Sequence, residues 1–211
     1  DLCILNRYGE SCLASSPHQF AYKAKHSTNM CINVLKETVQ YFWSKNSVVY
    51  VCFVDATKAF DLIDFDILFE LLLNRGVTGP IIRLMNDGYE RQIVKAAWNS
   101  KQSNTFPVTN WVRQGAVASA VLFSVYLDEL LSRLEKARTG CHIDGSFYGA
   151  LAYADDLTFL APTVDGLKYM LTIMEEFGIE YKVRFNPTKT KCMMFSEKRT
   201  KTNTMQSIQV A

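Results

Sequence analysis

The sequence carries little net charge, few glycines and prolines, and no apolar run of membrane-spanning length. Among 211 residues, 23 are Lys or Arg and 21 are Asp or Glu, which gives a net charge of +2. A protein that binds nucleic acid through charge alone is usually more basic, so any such binding must depend on local placement of the basic residues. The lack of a long apolar run excludes an integral membrane protein. With 48% hydrophobic residues, the composition also excludes a disordered chain, collagen and a coiled-coil rod.

The cysteines show no metal-binding or disulfide-framework spacing. They are scattered at Cys3, Cys12, Cys31, Cys52, Cys141 and Cys192. Without a C-x-x-C pair or a histidine at ligand spacing, a zinc site is not expected. Cys52 lies inside an apolar run and is predicted to be a buried free thiol. We therefore expect a reducing, intracellular location, in the nucleus or the cytoplasm. No signal-peptide pattern follows Asp1, and the abrupt start and stop suggest a fragment of a longer protein.

Apolar periodicity predicts helices and strands in alternation along the chain. Strands are expected at residues 48–54, 92–98, 105–108 and 191–195, and a hairpin at 150–160. Helices are expected at residues 28–43, 67–73, 81–85, 117–134 and 167–177. The run at 48–54 does not alternate, which is typical of a strand buried on both faces. The pattern predicts an α+β fold, in which a mostly antiparallel sheet packs on helices.

Three aspartates occupy unusual positions relative to the predicted strands. Asp55 ends the apolar strand at 48–54, and Asp155 with Asp156 lies at the tip of the predicted hairpin. If these strands are neighbours, Asp55 and Asp155 face each other, and their repulsion raises one pKa unless a cation lies between them. A pair of Mg²⁺ ions would relieve this repulsion and support phosphoryl transfer. The alternative is that the two adjacent acids only form a turn, since turns favour Asp.

Five segments, taken in order, resemble the motifs of reverse transcriptases. Asp55-Ala56-Thr57-Lys58-Ala59-Phe60-Asp61 is similar to motif A, and Tyr153-Ala154-Asp155-Asp156 to motif C. Arg113-Gln114-Gly115 is similar to motif B, and Asn186-Pro187-Thr188-Lys189-Thr190-Lys191 to motif D. Residues 19–28 resemble the fingers motif of the non-LTR (LINE-type) retrotransposon branch. The resemblance runs from about residue 1 to 198, nearly the whole chain.

The resemblance implies an RNA-directed DNA polymerase on a right-hand palm with partial fingers. By this analogy Asp55 and Asp155 hold two Mg²⁺ ions, for which Mn²⁺ could substitute, and Asp156 is the adjacent supporting acid. The implied partners are an RNA template, a DNA primer and deoxynucleoside triphosphates (dNTPs), with no membrane. The primer 3′ hydroxyl would attack the α-phosphate in line, and catalysis would rest on positioning and charge neutralisation.

The same resemblance assigns nucleotide-binding roles to residues outside the acidic cluster. Phe60 would abut the sugar and exclude a 2′ hydroxyl; the alternative is a core residue at a helix start. Gln114 and Gly115, with Arg113, would meet the nascent base pair and nucleotide, since Gly permits close backbone approach.

Three lysines complete the implied site. Lys23 and Lys25 would meet the triphosphate as point charges. Lys189 would protonate the leaving pyrophosphate. For each of them a solvated surface lysine is the alternative.

The predicted organisation has a partial fingers region at 1–46 and a palm at 47–198, with fingers-side helices at 65–110. Residues 199–211 are expected to fray, and no thumb is expected within the chain. The oligomeric state is not indicated.

Motif B departs from the family pattern, because Trp111 replaces a usual Gly and Ala118 and Ala120 stand in place of the usual Leu and Pro. A catalytically impaired remnant that keeps the fold and binds RNA is therefore the main alternative. A different palm-fold enzyme, such as a cyclase, would lack the Arg-Gln-Gly segment and the fingers lysines.

Overall fold

The computed structural model describes residues 2–9, 11–56, 63–90, 93–107 and 117–196. The described helices are, in chain order, α1 (Leu2–Tyr8), α2 (Thr28–Ser44), α3 (Phe65–Asn74), α4 (Gly79–Glu90), α5 (Val117–Lys136) and α6 (Val164–Glu180). The longer described strands are β1 (Val49–Asp55), β8 (Ala150–Tyr153), β9 (Asp156–Ala161) and β10 (Lys191–Phe195). Short two-residue strands are β2 (Ile93–Val94), β3 (Ala97–Trp98), β4 (Lys101–Gln102), β5 (Phe106–Pro107), β6 (His142–Ile143) and β7 (Ser146–Phe147).

The chain divides into two compact units. One contains residues 1–14 and 60–126, and the other contains residues 15–59 and 127–211. In the first unit α3 and α4 contact each other, and the short β2 pairs with β5 and β3 with β4. The second unit carries the main sheet and all the described aspartates of motifs A and C.

The main sheet has four strands in the order β10-β1-β9-β8, and every pairing is antiparallel. β1 and β9, which are distant in sequence, are thus central neighbours. In their register Val51 lies opposite Leu160 and Asp55 opposite Asp156. The arrangement of antiparallel strands with helices confirms the predicted α+β class.

Both faces of the sheet bury apolar side chains because β1 consists almost entirely of them. Val49, Val51 and Leu160 pack with Val39 of α2 on one face. Side chains alternate between faces along a strand, so Cys52 and Phe159 point to the other face, where both are fully buried. Helix α6 contacts both β1 and β9. The predicted free thiol of Cys52 is therefore buried in the core.

One end of the sheet is less covered than expected from the sequence. Phe53 points to the same face as Val49 and Val51, yet it is 36% exposed, so the prediction that this strand is buried on both faces is wrong at its end. The next residue on that face is Asp55. The open end of the sheet is thus the end that carries the acids.

Most predicted elements are confirmed with small shifts at their ends. Ser27 caps α2 by accepting a hydrogen bond from the Met30 backbone, as expected for serine at a helix start. The predicted hairpin partner of residues 92–98 is confirmed for Ile93 and Val94, which pair with Pro107 and Phe106. A second small hairpin, β3–β4, is nested between them. No described helix is long and apolar enough to cross a membrane.

Candidate active site

Two aspartates lie side by side at the open end of the main sheet. Asp55 ends β1 and Asp156 begins β9, and the two residues are direct cross-strand partners. Directly paired residues on adjacent antiparallel strands have Cβ atoms about 4.5–5.5 Å apart. The side chain of Asp55 is 34% exposed. Two carboxylates that the sequence separates by roughly half the chain therefore share one partly exposed surface.

Asp155 lies in the turn that joins β8 to β9. Tyr153 pairs with Asp156, so the turn consists of Ala154 and Asp155. The partner of Asp55 in the sheet is consequently Asp156 rather than Asp155, which was expected to face it. The difference arises because the two-residue turn removes Asp155 from the strand and places it at the tip.

The charges of the cluster act on Asp156. Partial desolvation raises the pKa of this exposed carboxyl, and the nearby carboxylates of Asp155 and Asp55 raise it further. The Lys189 ammonium opposes this change and lowers the same pKa. The three aspartates are thus close enough to repel one another, and a cation at the cluster would stabilise their ionised forms.

Lys189 reaches the cluster through a turn built by Asn186. The Asn186 backbone N–H donates to the Asp55 carbonyl at 2.8 Å, and its side-chain Oδ1 accepts from the backbone of Thr188 at 3.1 Å and of Lys189 at 3.3 Å. The Lys189 Nζ then lies 3.3 Å from the Asp55 Oδ2. The motif resemblance assigned no individual role to Asn186, although an Asn-Pro pair that opens a turn is a recognisable signal.

The predicted triphosphate lysines differ in their surroundings. Lys23 is half-buried and its Nζ donates to the Ser16 carbonyl at 2.5 Å. Burial lowers the pKa of Lys23, while Asp128 opposes that change. Lys25 is exposed, with a positive φ of 62°. As placed, Lys23 ties its own loop together, whereas Lys25 faces solvent.

Tyr22 of the fingers motif interacts electrostatically with Asp155. Burial raises the pKa of its hydroxyl, with further contributions from Asp155 and Tyr153. Tyr22 is nevertheless 51% exposed.

Gln19 lies three residues before Tyr22 in the same motif. Its fully buried side chain forms hydrogen bonds with the turn that carries Asp155. The hydrogen bonds of the Gln19 side chain were not predicted from the sequence.

Several predicted site residues lie outside the described part of the chain. Phe60 of motif A belongs to this group, as do Arg113, Gln114 and Gly115 of motif B and the unusual Trp111. Ala118 and Ala120 are described and lie in α5. The roles assigned to the undescribed residues stay predictions.

The donor chemistry of the cluster suits a hard divalent cation. Mg²⁺ prefers carboxylate oxygens, and Asp55, Asp155 and Asp156 supply them at one end of two adjacent strands. As the side chains stand, no three His, Cys, Asp or Glu residues within the described ranges form a group that could hold a metal ion. A cationic group, the Lys189 ammonium, occupies the position beside Asp55.

The fold and the acids agree with comparisons to known proteins. The family model for reverse transcriptase (RNA-dependent DNA polymerase) matches residues 4–209, so the chain belongs to the reverse transcriptase family. Domains of this family generally use divalent metal ions and act on nucleic acids. The predicted family and palm fold are confirmed, and RNA-dependent DNA polymerase is the activity by which this family is described.

The curated relatives are Pol polyproteins of R2 retrotransposable elements, which confirms the predicted non-LTR branch. The chain is 28% identical over 156 residues to the R2DM protein of Drosophila melanogaster, and this alignment covers 74% of the chain and 14% of that protein. It is 26% identical over 205 residues to the R2 protein of Nasonia vitripennis, covering 95% of itself and 20% of that protein. The chain thus spans a fifth or less of the length of these relatives.

Solved structures of telomerase share the fold. Apo telomerase from Candida tropicalis, truncated from the C-terminal domain, superposes with a TM-score of 0.66 at 16% identity, covering 94% of this chain and 40% of that one. Telomerase from Candida tropicalis in complex with the TWJ fragment of telomeric RNA gives a TM-score of 0.65 at 15% identity, covering 92% of this chain and 32% of that one. At such low identity the likeness is one of fold.

Proposed function

We propose that the chain transfers deoxynucleotides from dNTPs to the 3′ hydroxyl of a DNA primer annealed to an RNA template. The observation that carries this proposal is the pairing of Asp55 with Asp156 in a family member, with Asp155 at the adjoining turn. These acids lie at the open end of the sheet, where a primer terminus and a nucleotide would have access to them.

The three aspartates are the residues that would hold two Mg²⁺ ions, with Mn²⁺ as a substitute. When bound, such ions activate the attacking hydroxyl and neutralise charge on the phosphates. The protein's own part is to fix the carboxylates through β1, β9 and the turn between β8 and β9. Lys189 contributes an ammonium that can donate a proton to the departing pyrophosphate, and its bond to Asp55 keeps it at the cluster.

The residues that would select the nucleotide are assigned by their resemblance to the reverse transcriptase motifs. Phe60 would exclude a 2′ hydroxyl, and Arg113, Gln114 and Gly115 would contact the base pair and nucleotide. Lys25, which faces solvent, would meet the triphosphate. Lys23 would have to leave the Ser16 carbonyl to do the same.

We assign residues 1–46 to a partial fingers region and residues 47–198 to the palm, with fingers-side helices at 65–110. The RNA complex of the telomerase neighbour supports an RNA partner for this fold. An intracellular location, nuclear or cytoplasmic, follows from the free cysteines.

The second candidate is a remnant that keeps the fold and binds RNA without copying it. The changes in motif B favour it, because Trp111, Ala118 and Ala120 replace residues that the family uses near the template and nucleotide. In that case the acids would be retained although synthesis is lost.

A primer-extension assay separates the two candidates. The purified chain is given an RNA template with an annealed DNA primer, dNTPs and Mg²⁺. We expect extension, and we expect Asp155→Asn to abolish it because the turn carboxylate is lost. Asp144→Asn is the matched control, since Asp144 lies exposed in the β6–β7 turn at φ 50°. Absence of extension by a folded chain that binds the template would favour the remnant.

A further inference from the structure

A buried glutamine holds the turn that carries Asp155. Gln19 is fully buried, and its side-chain Oε1 accepts a hydrogen bond from the Ala154 backbone N–H at 3.0 Å. Its Nε2 donates to the Ala154 carbonyl at 3.1 Å. Both backbone polar groups of the first turn residue are therefore satisfied by one side chain.

The backbone conformation of Ala154 explains why the turn needs the hydrogen bonds from Gln19. Its φ of 57° lies in the left-handed region, which a residue with a Cβ adopts at an energetic cost. The turn that places Asp155 beside Asp55 and Asp156 depends on this conformation. Hydrogen bonds from one side chain to both the N–H and the carbonyl of Ala154 offset this cost and stabilise the left-handed conformation.

Gln19 is itself anchored to the same hairpin by its neighbours' backbone. The Phe20 N–H donates to the Ala152 carbonyl at 2.8 Å, and the Ala152 N–H donates to the His18 carbonyl at 2.8 Å. This short parallel bridge lies along β8, two residues before Ala154. The Gln19 Oε1 also accepts from the Ala21 N–H at 3.0 Å, which leads directly to Tyr22 and the fingers lysines.

The contacts require the chemistry of a primary amide. An amide supplies an acceptor and a donor on one planar group, whereas Glu lacks the donor when ionised, and Met lacks the donor and has only a weakly accepting sulfur. Glutamine is otherwise an unfavourable residue to bury. The structure therefore shows a specific use for this polar side chain.

We propose that Gln19 is a positioning residue for DNA synthesis: it fixes the left-handed turn at Ala154 and so sets the place of the Asp155 carboxylate relative to Asp55. This inference rests on the proposed polymerase function of the acidic cluster. Gln19 does not meet the substrate, because it acts through the Ala154 backbone. The same residue joins the fingers-motif loop to the hairpin of the acids.

The test compares Gln19→Met with the unsubstituted chain, using two measurements. The first is the rate constant of single-nucleotide incorporation per active site, with active sites counted from burst amplitude. We expect a fall of about 10- to 100-fold, which is the scale of a small misplacement of a catalytic group, with little change in primer-template affinity. The second is hydrogen–deuterium exchange of residues 150–158, which should become faster because the Ala154 N–H loses its acceptor.

Thr38→Val is the matched control for loss of a buried hydrogen bond. Thr38 is 1% exposed and donates to the Val34 carbonyl at 2.7 Å within α2. We expect this variant to lose stability while keeping its rate per active site and its exchange at 150–158. Gln19→Asn, which keeps the amide on a shorter side chain, provides a second variant if Gln19→Met does not fold, and should also slow incorporation.

The outcomes separate this inference from the proposed function. An unchanged rate per active site in the Gln19 variants, with exchange at 150–158 also unchanged, would overturn the positioning role. A drop in burst amplitude alone would overturn it as well, because that result means fewer folded molecules. Failure of the unsubstituted chain to extend any primer would count instead against the proposed function, and the exchange measurement would still test the link between Gln19 and the turn.

Discussion

Asp156 is one of the proposed catalytic acids, and its ionised carboxylate lowers the stability of the folded chain. Although the residue is exposed, partial desolvation of its carboxyl raises the pKa, and the carboxylates of Asp155 and Asp55 add to that effect. A carboxyl whose pKa is higher in the folded than in the unfolded state makes folding take up a proton. The stability due to this group therefore decreases as the pH rises through the window above the ordinary pKa of aspartate.

Asp156→Asn is expected to stabilise the metal-free protein at pH 7, because the amide removes the repulsion without changing the size of the side chain. Since Asp156 is exposed, the rise in Tm should be small, about 1–3 °C for a chain of this size. The rise should shrink towards pH 4, because the folded protein takes up a proton on this carboxyl at a higher pH than the unfolded chain does. Thermal unfolding at both pH values in the presence of a chelator measures this, and Asp144→Asn should leave Tm unchanged. A gain of equal size at both pH values would contradict the electrostatic explanation.

The positions of helices and strands could be predicted from the sequence better than the pairing of the strands. The limits of β10 match the predicted strand at 191–195, because apolar periodicity and turn residues are local properties of the sequence. The apolar stripe predicted for α5 is also correct, since Leu122, Val125, Tyr126, Leu130 and Leu134 are all essentially buried.

The register of the site could not be obtained in the same way. Whether Asp55 lies opposite Asp155 or Asp156 depends on how many residues the turn takes, and a shift by one residue moves every side chain to the other face. The bonds from Gln19 to Ala154 and from Asn186 to Asp55 depend on distant segments meeting. The sequence motifs indicated that these segments belong together, but they did not indicate which atoms touch.

Leu130→Ala is expected to lower the free energy of unfolding by about 2–5 kcal/mol, because it leaves a cavity beneath a fully buried position of α5. Leu84→Ala in α4 is the matched control, since Leu84 is 63% exposed. Its change should stay within about 0.5 kcal/mol. Urea unfolding of both variants provides the measurement. Similar losses in the two variants would mean that α5 is not part of the core as described.

For the whole molecule, a net charge of +2 leaves nucleic-acid affinity to the placement of a few basic residues. Lys182, Arg184, Lys189 and Lys191 are exposed, and Phe185 bridges to Ala56 directly after Asp55. These basic residues thus lie on a segment that meets the end of β1 at the acidic cluster. Such a location suits contacts with the phosphates of a primer-template.

Primer-template binding is expected to weaken with salt, and the combined change Lys182→Gln with Arg184→Gln should make that dependence shallower. Each lost phosphate contact lowers the slope of log K against log salt by about 0.7–0.9. The control pair is Lys136→Gln with Lys168→Gln, two exposed lysines on α5 and α6. Fluorescence anisotropy across a salt series gives the slopes. A slope for the Lys182/Arg184 variant that equals the slope for the unsubstituted chain would place the phosphate contacts elsewhere.

The strand order has a consequence for biosynthesis. β1 is the earliest of the four sheet strands to leave the ribosome, and both of its neighbours, β9 and β10, come from residues beyond 155. At about 5–20 residues per second, the nascent chain carries this apolar segment with both hydrogen-bonding edges open for roughly 5–20 s. During that interval it is a target for chaperones and a hazard for aggregation, and the acidic cluster cannot assemble until the later strands arrive.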